Sequence, residues 1–137
     1  MNINASIIGA NGYTGLELIN ILSLHPFVTL KFVTSRSENG KKVSEVYPSL
    51  LGKCDMTFCQ ASYDEISKNS DVVFLALPHG ASATAAKELF ERGVKVIDLS
   101  ADFRYQNLDT YEKTYNTTHP CSDINKEAVY GLCEINK

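Results

Sequence analysis

Two patterns of hydrophobic and polar positions alternate along the chain, one typical of β-strands and the other of amphipathic helices. Short apolar segments rich in β-branched residues predict strands at residues 3–8, 28–34, 72–77 and 94–99. Apolar residues at helical spacing predict helices at residues 13–24, 43–47, 63–68, 81–92 and 108–115. We also expect a short strand at Phe58 and a loop over residues 117–122.

The order of these elements predicts the fold class. Strands that alternate with helices through short connections are typical of parallel βαβ units. The segment 72–77 is apolar on both faces, as expected for a strand buried inside a parallel sheet. We therefore predict an α/β fold, a Rossmann-like parallel sheet with helices on both faces, in a single domain over residues 1–137. The alternation fades after Ser100, so the last third is expected to be less regular.

Composition and charge narrow the range of functions. Thirteen Lys and Arg residues against sixteen Asp and Glu give a net charge of −3, which argues against nucleic-acid binding. No segment approaches the roughly 20 apolar residues of a membrane span, and the first residues do not resemble a signal peptide. The four cysteines form no C-x-x-C pair and the histidines lie far apart, so we expect no metal site. These features predict a cytoplasmic protein with reduced thiols and no membrane or nucleic-acid partner.

The sharpest chemical signal is a glycine-rich turn between the first strand and the first helix. Its G-x-x-G-x-x-G spacing is a variant of the dinucleotide-binding fingerprint. Glycines allow the backbone to turn tightly and approach a pyrophosphate, whose charge is met by the N–H groups of the helix N-terminus. The alternative is an ordinary strand-to-helix turn. The candidate cofactor-binding residues here are Gly9, Asn11, Gly12, Tyr13, Thr14 and Gly15.

The end of the second strand distinguishes between two nicotinamide cofactors. Domains that bind NAD usually place an Asp or Glu here to bind the ribose 2′-hydroxyl. In this chain Ser35, Arg36 and Ser37 follow the strand, and no acid occurs before Glu38. A guanidinium between two hydroxyls suits a 2′-phosphate, so we predict NADP as the cofactor. The alternative is that Arg36 is a solvated surface residue.

Further candidates follow the third and fourth strands, at the sheet edge where open α/β proteins bind ligands. Leu77, Pro78 and His79 follow the third strand, and His79 either contacts the cofactor or caps the next helix. Ser100 lies at the exit of the fourth strand. Arg104, a little further along, either faces an anionic substrate or forms a structural salt bridge.

Three segments together carry a family resemblance. Residues 9–15, 75–80 and 98–104 resemble N-acetyl-gamma-glutamyl-phosphate reductase of arginine biosynthesis in sequence, order and spacing. Residues 130–132 are similar to the start of the family's Y-G-L-P-E segment, although Cys133 stands where proline is usual.

The resemblance implies a reaction and separate roles for two domains. In this family NADPH reduces N-acetyl-L-glutamyl 5-phosphate to N-acetyl-L-glutamate 5-semialdehyde, through a thioester on a cysteine and with help from a histidine of a second domain. Arg104 matches a position near the substrate phosphate in related dehydrogenases. The family's N-P-G-C segment, which carries the nucleophile, does not occur here. We therefore expect the nucleophile beyond Lys137, no catalytic residue within this cofactor-binding part, and a homo-oligomeric full-length protein.

Two other readings of the same residues remain. The first is a nucleotide-binding sensor module that has the same fold and carries out no chemistry. The second is the cofactor domain of aspartate-semialdehyde dehydrogenase, a sister enzyme that acts on aspartyl phosphate. The segments 77–80 and 101–104 favour the arginine-pathway family over this sister enzyme.

Overall fold

Within the residues that the structure describes, four strands form a parallel sheet in the order β2-β1-β3-β4. The structure is a computed structural model that describes residues 2–132 and 134. The strands are β1 (Ile3–Ile8), β2 (Val28–Thr34), β3 (Val72–Leu75) and β4 (Lys95–Asp98). The first two coincide with the predicted bounds, whereas β3 and β4 are shorter than predicted.

In the described part of the chain, five α-helices connect or follow the strands. They are α1 (Tyr13–Ser23), α2 (Val43–Val46), α3 (Tyr63–Asn69), α4 (Ala81–Phe90) and α5 (Leu108–Tyr115), with short 3-10 turns at Pro48–Leu50 and Asn125–Glu127. Local caps explain two of the starts. Ser62 accepts a hydrogen bond from the backbone N–H of Glu65 at α3, and Asn107 accepts one from Thr110 at α5. The predicted helices are confirmed, with ends that differ by up to two residues.

The helices lie on both faces of the sheet, as predicted. Successive strand residues point to opposite faces, so Ile7 and Ile8 of β1 belong to different cores. On one face Ile7 packs with Ile19 of α1 and the core residues Val33, Val43, Leu50 and Phe58. On the other face Ile8 packs with residues of α3, β3 and α4, namely Ile66, Val73, Leu75, Ala85 and Leu89. Both cores hold their strands so that the carboxyl ends meet at one edge.

Two details of the predicted strands are wrong. Phe58 belongs to no strand among the described residues. Its neighbours form only isolated bridges, Thr57 with Lys42 and Cys59 with Thr34, and these do not continue into a strand. The third strand is apolar on both faces as predicted, but only one of the two faces is fully buried. Val73 and Leu75 are buried, but Val72 and Phe74 are half-buried, since the face with α1 is covered less completely there.

Candidate functional site

A crevice is expected where the strand order reverses, at the carboxyl ends of β1 and β3. Gly9, directly after β1, has φ +81°, a conformation that side chains rarely adopt. A Cβ at Gly9 would also lie 2.7 Å from the carbonyl oxygen of Ala76 and 2.8 Å from the Leu77 side chain. The turns after β1 and β3 therefore pack directly on each other, and the tight contact requires glycine.

The other two glycines of the phosphate turn, as we call residues 9–15, have opposite surroundings. A Cβ at Gly15 would lie 2.4 Å from the carbonyl carbon and oxygen of Ala10, so this glycine allows α1 to pack closely on the turn. A Cβ at Gly12 would meet nothing within 4 Å. The backbone at Gly12 thus borders open space, as a ligand that approaches the backbone would require.

The N-terminus of α1 lies beside that space. Gly12 is the residue before the first helical turn, no side chain caps the helix, and the first turn contains no acidic residue. Tyr13 and Thr14 are exposed, Tyr13 to 92%. The first N–H groups of a helix have no partner within the helix and carry the positive end of its dipole. This end of α1 is therefore suited to an anion such as a phosphate group.

The segment after β2 contacts the phosphate turn through Asn11, whose Nδ2 donates a hydrogen bond to Ser37 Oγ at 3.1 Å. Ser35 is buried, and its Oγ accepts from the backbone N–H of Glu38 at 3.1 Å. Arg36 is exposed and forms no ion pair with any described residue. Lys41 Nζ lies 2.8 Å from Glu38 Oε2, and this ion pair lowers the pKa of the Glu38 carboxyl. Arg36 thus presents a positive charge next to the turn.

A second group of polar side chains surrounds Asp102, a fully buried residue that sequence reasoning left without a role. Its carboxylate accepts hydrogen bonds from the backbone N–H groups of Gly80, at 2.9 Å and 3.0 Å to the two oxygens, and of Ala83, at 2.9 Å. His79 Nδ1 lies 2.5 Å from the same carboxylate. Asp102, and not His79, therefore caps the N-terminus of α4, which corrects one of the two roles considered for His79.

Two further residues of this group were missed by sequence reasoning. The buried hydroxyl of Tyr111 lies 3.1 Å from His79 Nε2 and 3.3 Å from Asp102 Oδ1. Burial raises the pKa of Tyr111 to about 12, and the charge of Asp102 acts in the same direction. His119 Nδ1 accepts from the backbone N–H of Cys121, so its Nε2–H donates to the carbonyl of Asp102 at 2.7 Å. We call Asp102, His79, Tyr111 and His119 the Asp102 group.

Ser100 is placed at the carboxyl edge but its hydroxyl is used within the turn after β4. It donates to Asp98 Oδ2 at 2.8 Å and accepts from the backbone N–H of Asp102 at 3.0 Å. Asp98 also accepts from Ser82 Oγ at 2.6 Å. The backbone N–H of Ser100 also donates to Asp98 Oδ1 at 2.9 Å, so both the side chain and the N–H of Ser100 order the turn that leads to Asp102.

Arg104 lies next to the Asp102 group. Its Nη1 is 3.5 Å from the hydroxyl of Tyr115, and its guanidinium carbon is 6.0 Å from the centre of the Tyr130 ring. The Tyr115 ring in turn lies 4.7 Å from the ring of His79. Among the described residues no carboxylate pairs with Arg104, so the structural salt bridge considered for it is not found there.

The described cysteines lack the features of an activated nucleophile. Cys54 and Cys121 are buried, Cys59 is half-buried, and all three are free thiols. Burial raises the pKa of Cys59 and of Cys121, which keeps these thiols protonated and poorly reactive. Cys133 lies outside the described residues.

The described residues include neither a membrane-spanning helix nor a cluster of metal-binding side chains. No helix within residues 2–132 is long and apolar enough for a membrane span. The same part of the chain holds no group of three or more His, Cys, Asp or Glu side chains placed to bind a metal ion.

Two curated proteins match nearly the whole chain. An N-acetyl-gamma-glutamyl-phosphate reductase of Acinetobacter baylyi is 50% identical over 135 residues, which cover 98% of this chain and 38% of that protein. A reductase of the same name from Halothermothrix orenii is 47% identical and covers 98% of this chain and 39% of its own length. The chain thus spans well under half the length of these relatives.

The structural comparison shows the same fold. An aspartate semialdehyde dehydrogenase with NADP from Candida albicans superposes with a TM-score of 0.66 at 19% identity, over 88% of this chain and 41% of that one. The family described as "Semialdehyde dehydrogenase, NAD binding domain" matches residues 4–137. The chain belongs to the family of semialdehyde dehydrogenase NAD-binding domains.

Proposed function

We propose that this chain is the NADP-binding part of a reductase that converts N-acetyl-L-glutamyl 5-phosphate to N-acetyl-L-glutamate 5-semialdehyde in arginine biosynthesis. The names of the relatives at 47–50% identity support the reaction. The observation that carries cofactor binding is the uncapped N-terminus of α1, with open space at Gly12. The residues present therefore fit a dinucleotide.

In this proposal each side of the crevice holds a different part of the cofactor. The backbone N–H groups of Tyr13 and Thr14 bind the pyrophosphate, and Gly9 and Gly15 give the turn its shape. Arg36, with the hydroxyls of Ser35 and Ser37, binds the 2′-phosphate. Leu77, Pro78 and His79 line the wall across the crevice, with Ser100 beside them. When bound, the nicotinamide supplies the hydride for the reduction.

Substrate recognition in this proposal begins at Arg104. Its exposed guanidinium has no carboxylate partner among the described residues, so an acyl phosphate can serve as its counter-ion. The proposal assigns the nucleophile to a cysteine beyond residues 1–137 and a homo-oligomeric state to the full-length protein. The raised pKa values of the Cys59 and Cys121 thiols support the first of these statements.

Titration of the chain with NADPH and NADH tests the cofactor assignment. We expect tighter binding of NADPH, and loss of most of the difference in Arg36→Ala, because a charged hydrogen bond contributes about 1.5–3 kcal/mol. That corresponds to roughly tenfold to a hundredfold in affinity. Lys31→Ala is the matched control, since Lys31 is an exposed cation of β2. Equal affinities of the unmodified chain for the two cofactors would rule out the NADP assignment.

Activity measurements test the assignment of the reaction. With NADP, phosphate and N-acetyl-L-glutamate 5-semialdehyde, the 137-residue chain should form no NADPH, whereas a longer protein with the N-P-G-C segment should. Positioning of reactants accounts for roughly 7–11 kcal/mol of barrier lowering, which a cofactor domain alone does not supply. Turnover by the short chain that is lost in Cys133→Ser would overturn the proposal. Cofactor binding without turnover by the longer protein would favour the sensor alternative.

A further inference from the structure

We infer that Tyr47 is a positioning residue that orients the phosphate turn for its anion, an inference that rests on the proposed cofactor binding. Tyr47 follows α2 and belongs neither to the sheet nor to α1. Its hydroxyl nevertheless donates a hydrogen bond to the carbonyl of Gly12 at 3.2 Å, and it lies 3.5 Å from the carbonyl of Ala10. A side chain from outside the βαβ unit thus reaches the turn at the residue that borders open space.

The hydrophobic core places the Tyr47 ring. Tyr47 is half-buried against the core of the α1 face, and its ring packs edge-on against Phe58 with centroids 6.2 Å apart and an interplanar angle of 71°. Phe58 is itself 1% exposed. Because packing restricts the ring, its hydroxyl is held at the turn at little further cost in conformational entropy.

The hydrogen bond to Gly12 has a consequence for the neighbouring N–H group. The Gly12 carbonyl also accepts from the backbone N–H of Leu16 at 2.9 Å, so both of its lone pairs are used. In a trans peptide the C=O and the following N–H point in opposite directions. Fixing the Gly12 carbonyl towards Tyr47 and Leu16 therefore fixes the N–H of Tyr13 towards the N-terminal end of α1, where an anion binds.

The Tyr47 hydroxyl remains a donor under ordinary conditions. Burial raises the pKa of Tyr47, and the nearby charge of Glu38 acts in the same direction. The contribution to binding is then one of preorganisation, because the ligand does not have to order the turn itself.

Tyr47→Phe removes the hydroxyl and keeps the ring, with Tyr63→Phe as the matched control. Tyr63 is half-buried against the other core. We expect Tyr47→Phe to weaken NADPH binding by about three- to tenfold. Binding of 2′-AMP, which has no pyrophosphate, should stay unchanged, and so should both affinities in the control. Unchanged NADPH affinity in Tyr47→Phe would overturn the inference, as would an equal weakening of both ligands, which indicates a purely structural role.

Inorganic pyrophosphate separates this inference from the proposed function. In an NMR titration of the unmodified chain, the amide signals of Tyr13 and Thr14 should move with pyrophosphate, and Tyr47→Phe should require about three to ten times more of it. The unmodified chain could fail to bind NADPH and still respond to pyrophosphate in this way. That result would contradict the cofactor proposal and support the role of Tyr47. Absence of any pyrophosphate response in the unmodified chain would overturn the role of Tyr47.

Discussion

Helices α1 and α4, which begin near the carboxyl edge of the sheet, differ in what lies at their N-termini. At α1 no side chain caps the helix, and Gly12 borders open space. At α4 the carboxylate of Asp102 accepts hydrogen bonds from Gly80 and Ala83 and is completely buried. Both ends carry the same partial positive charge, so the difference lies in the source of the anion. The protein itself supplies it at α4, and at α1 a ligand can supply it.

This difference separates stability from binding. A buried carboxylate with several donors stabilises the folded chain, and its loss leaves those donors unsatisfied. An exposed helix end with water-accessible N–H groups contributes little to folding, but it is ready to bind a phosphate. Changes at the Asp102 group are therefore expected to alter the free energy of unfolding, and changes at Gly12, where the phosphate turn borders open space, to alter affinity.

The largest effect should come from Asp102→Ala. It removes the partner of Gly80, Ala83 and His79 in a buried site, and we expect a loss of about 3–5 kcal/mol in the free energy of unfolding. Urea unfolding followed by circular dichroism measures it. Asp109→Ala, at an exposed position in the first turn of α5, is the control and should cost under about 1 kcal/mol. Similar losses in both variants would mean that the buried Asp102 cap stabilises the fold no more than an exposed carboxylate does.

A pair of glycine substitutions sharpens the comparison within the phosphate turn. Gly15→Ala places a methyl group against the Ala10 backbone and should destabilise the chain by about 1–3 kcal/mol. A Cβ at Gly12 meets no atom within 4 Å, so the circular-dichroism spectrum and unfolding free energy of Gly12→Val should stay close to those of the unmodified chain. Its NADPH binding should be abolished, because the side chain occupies the space next to the helix N-terminus. Retained NADPH binding in Gly12→Val would identify the glycines as an ordinary turn.

The smallest effect concerns alkaline pH at the Asp102 group. The pKa of Tyr111 is about 12 in the folded chain, above the ordinary value of 10, so the folded state holds this proton more tightly than the unfolded state does. The stabilisation is complete below pH 10 and is lost as the pH rises towards 12. We expect a loss on the order of 1–2 kcal/mol over this range, measured by urea unfolding.

Tyr111→Phe provides the control for this pH dependence. Other groups also titrate at alkaline pH, so the relevant quantity is the difference in slope between the two chains. Tyr111→Phe should unfold more easily at pH 8 and show a shallower decline above pH 10. Identical slopes in the two chains would exclude a contribution from Tyr111.

The local parts of this architecture could be predicted from sequence. β1, β2 and α5 have the predicted bounds, because each combines a clear hydrophobic period with nearby stop signals. The prediction of a strand at Phe58 was wrong because the hydrophobic pattern there is too short. A few apolar residues do not distinguish a strand from a buried loop, and Phe58 is buried in the core between two isolated bridges.

The sequence by itself determined the alternation of strands and helices and the place of the phosphate turn, because both depend on neighbouring residues and short spacings. Tertiary structure alone decided that α4 is capped by Asp102 while the N-terminus of α1 stays open. Asp102 reaches Gly80 across 22 residues of sequence, and Tyr47 reaches Gly12 across 35. Such contacts depend on how the sheet and the two cores place distant segments side by side, and no local period encodes that placement.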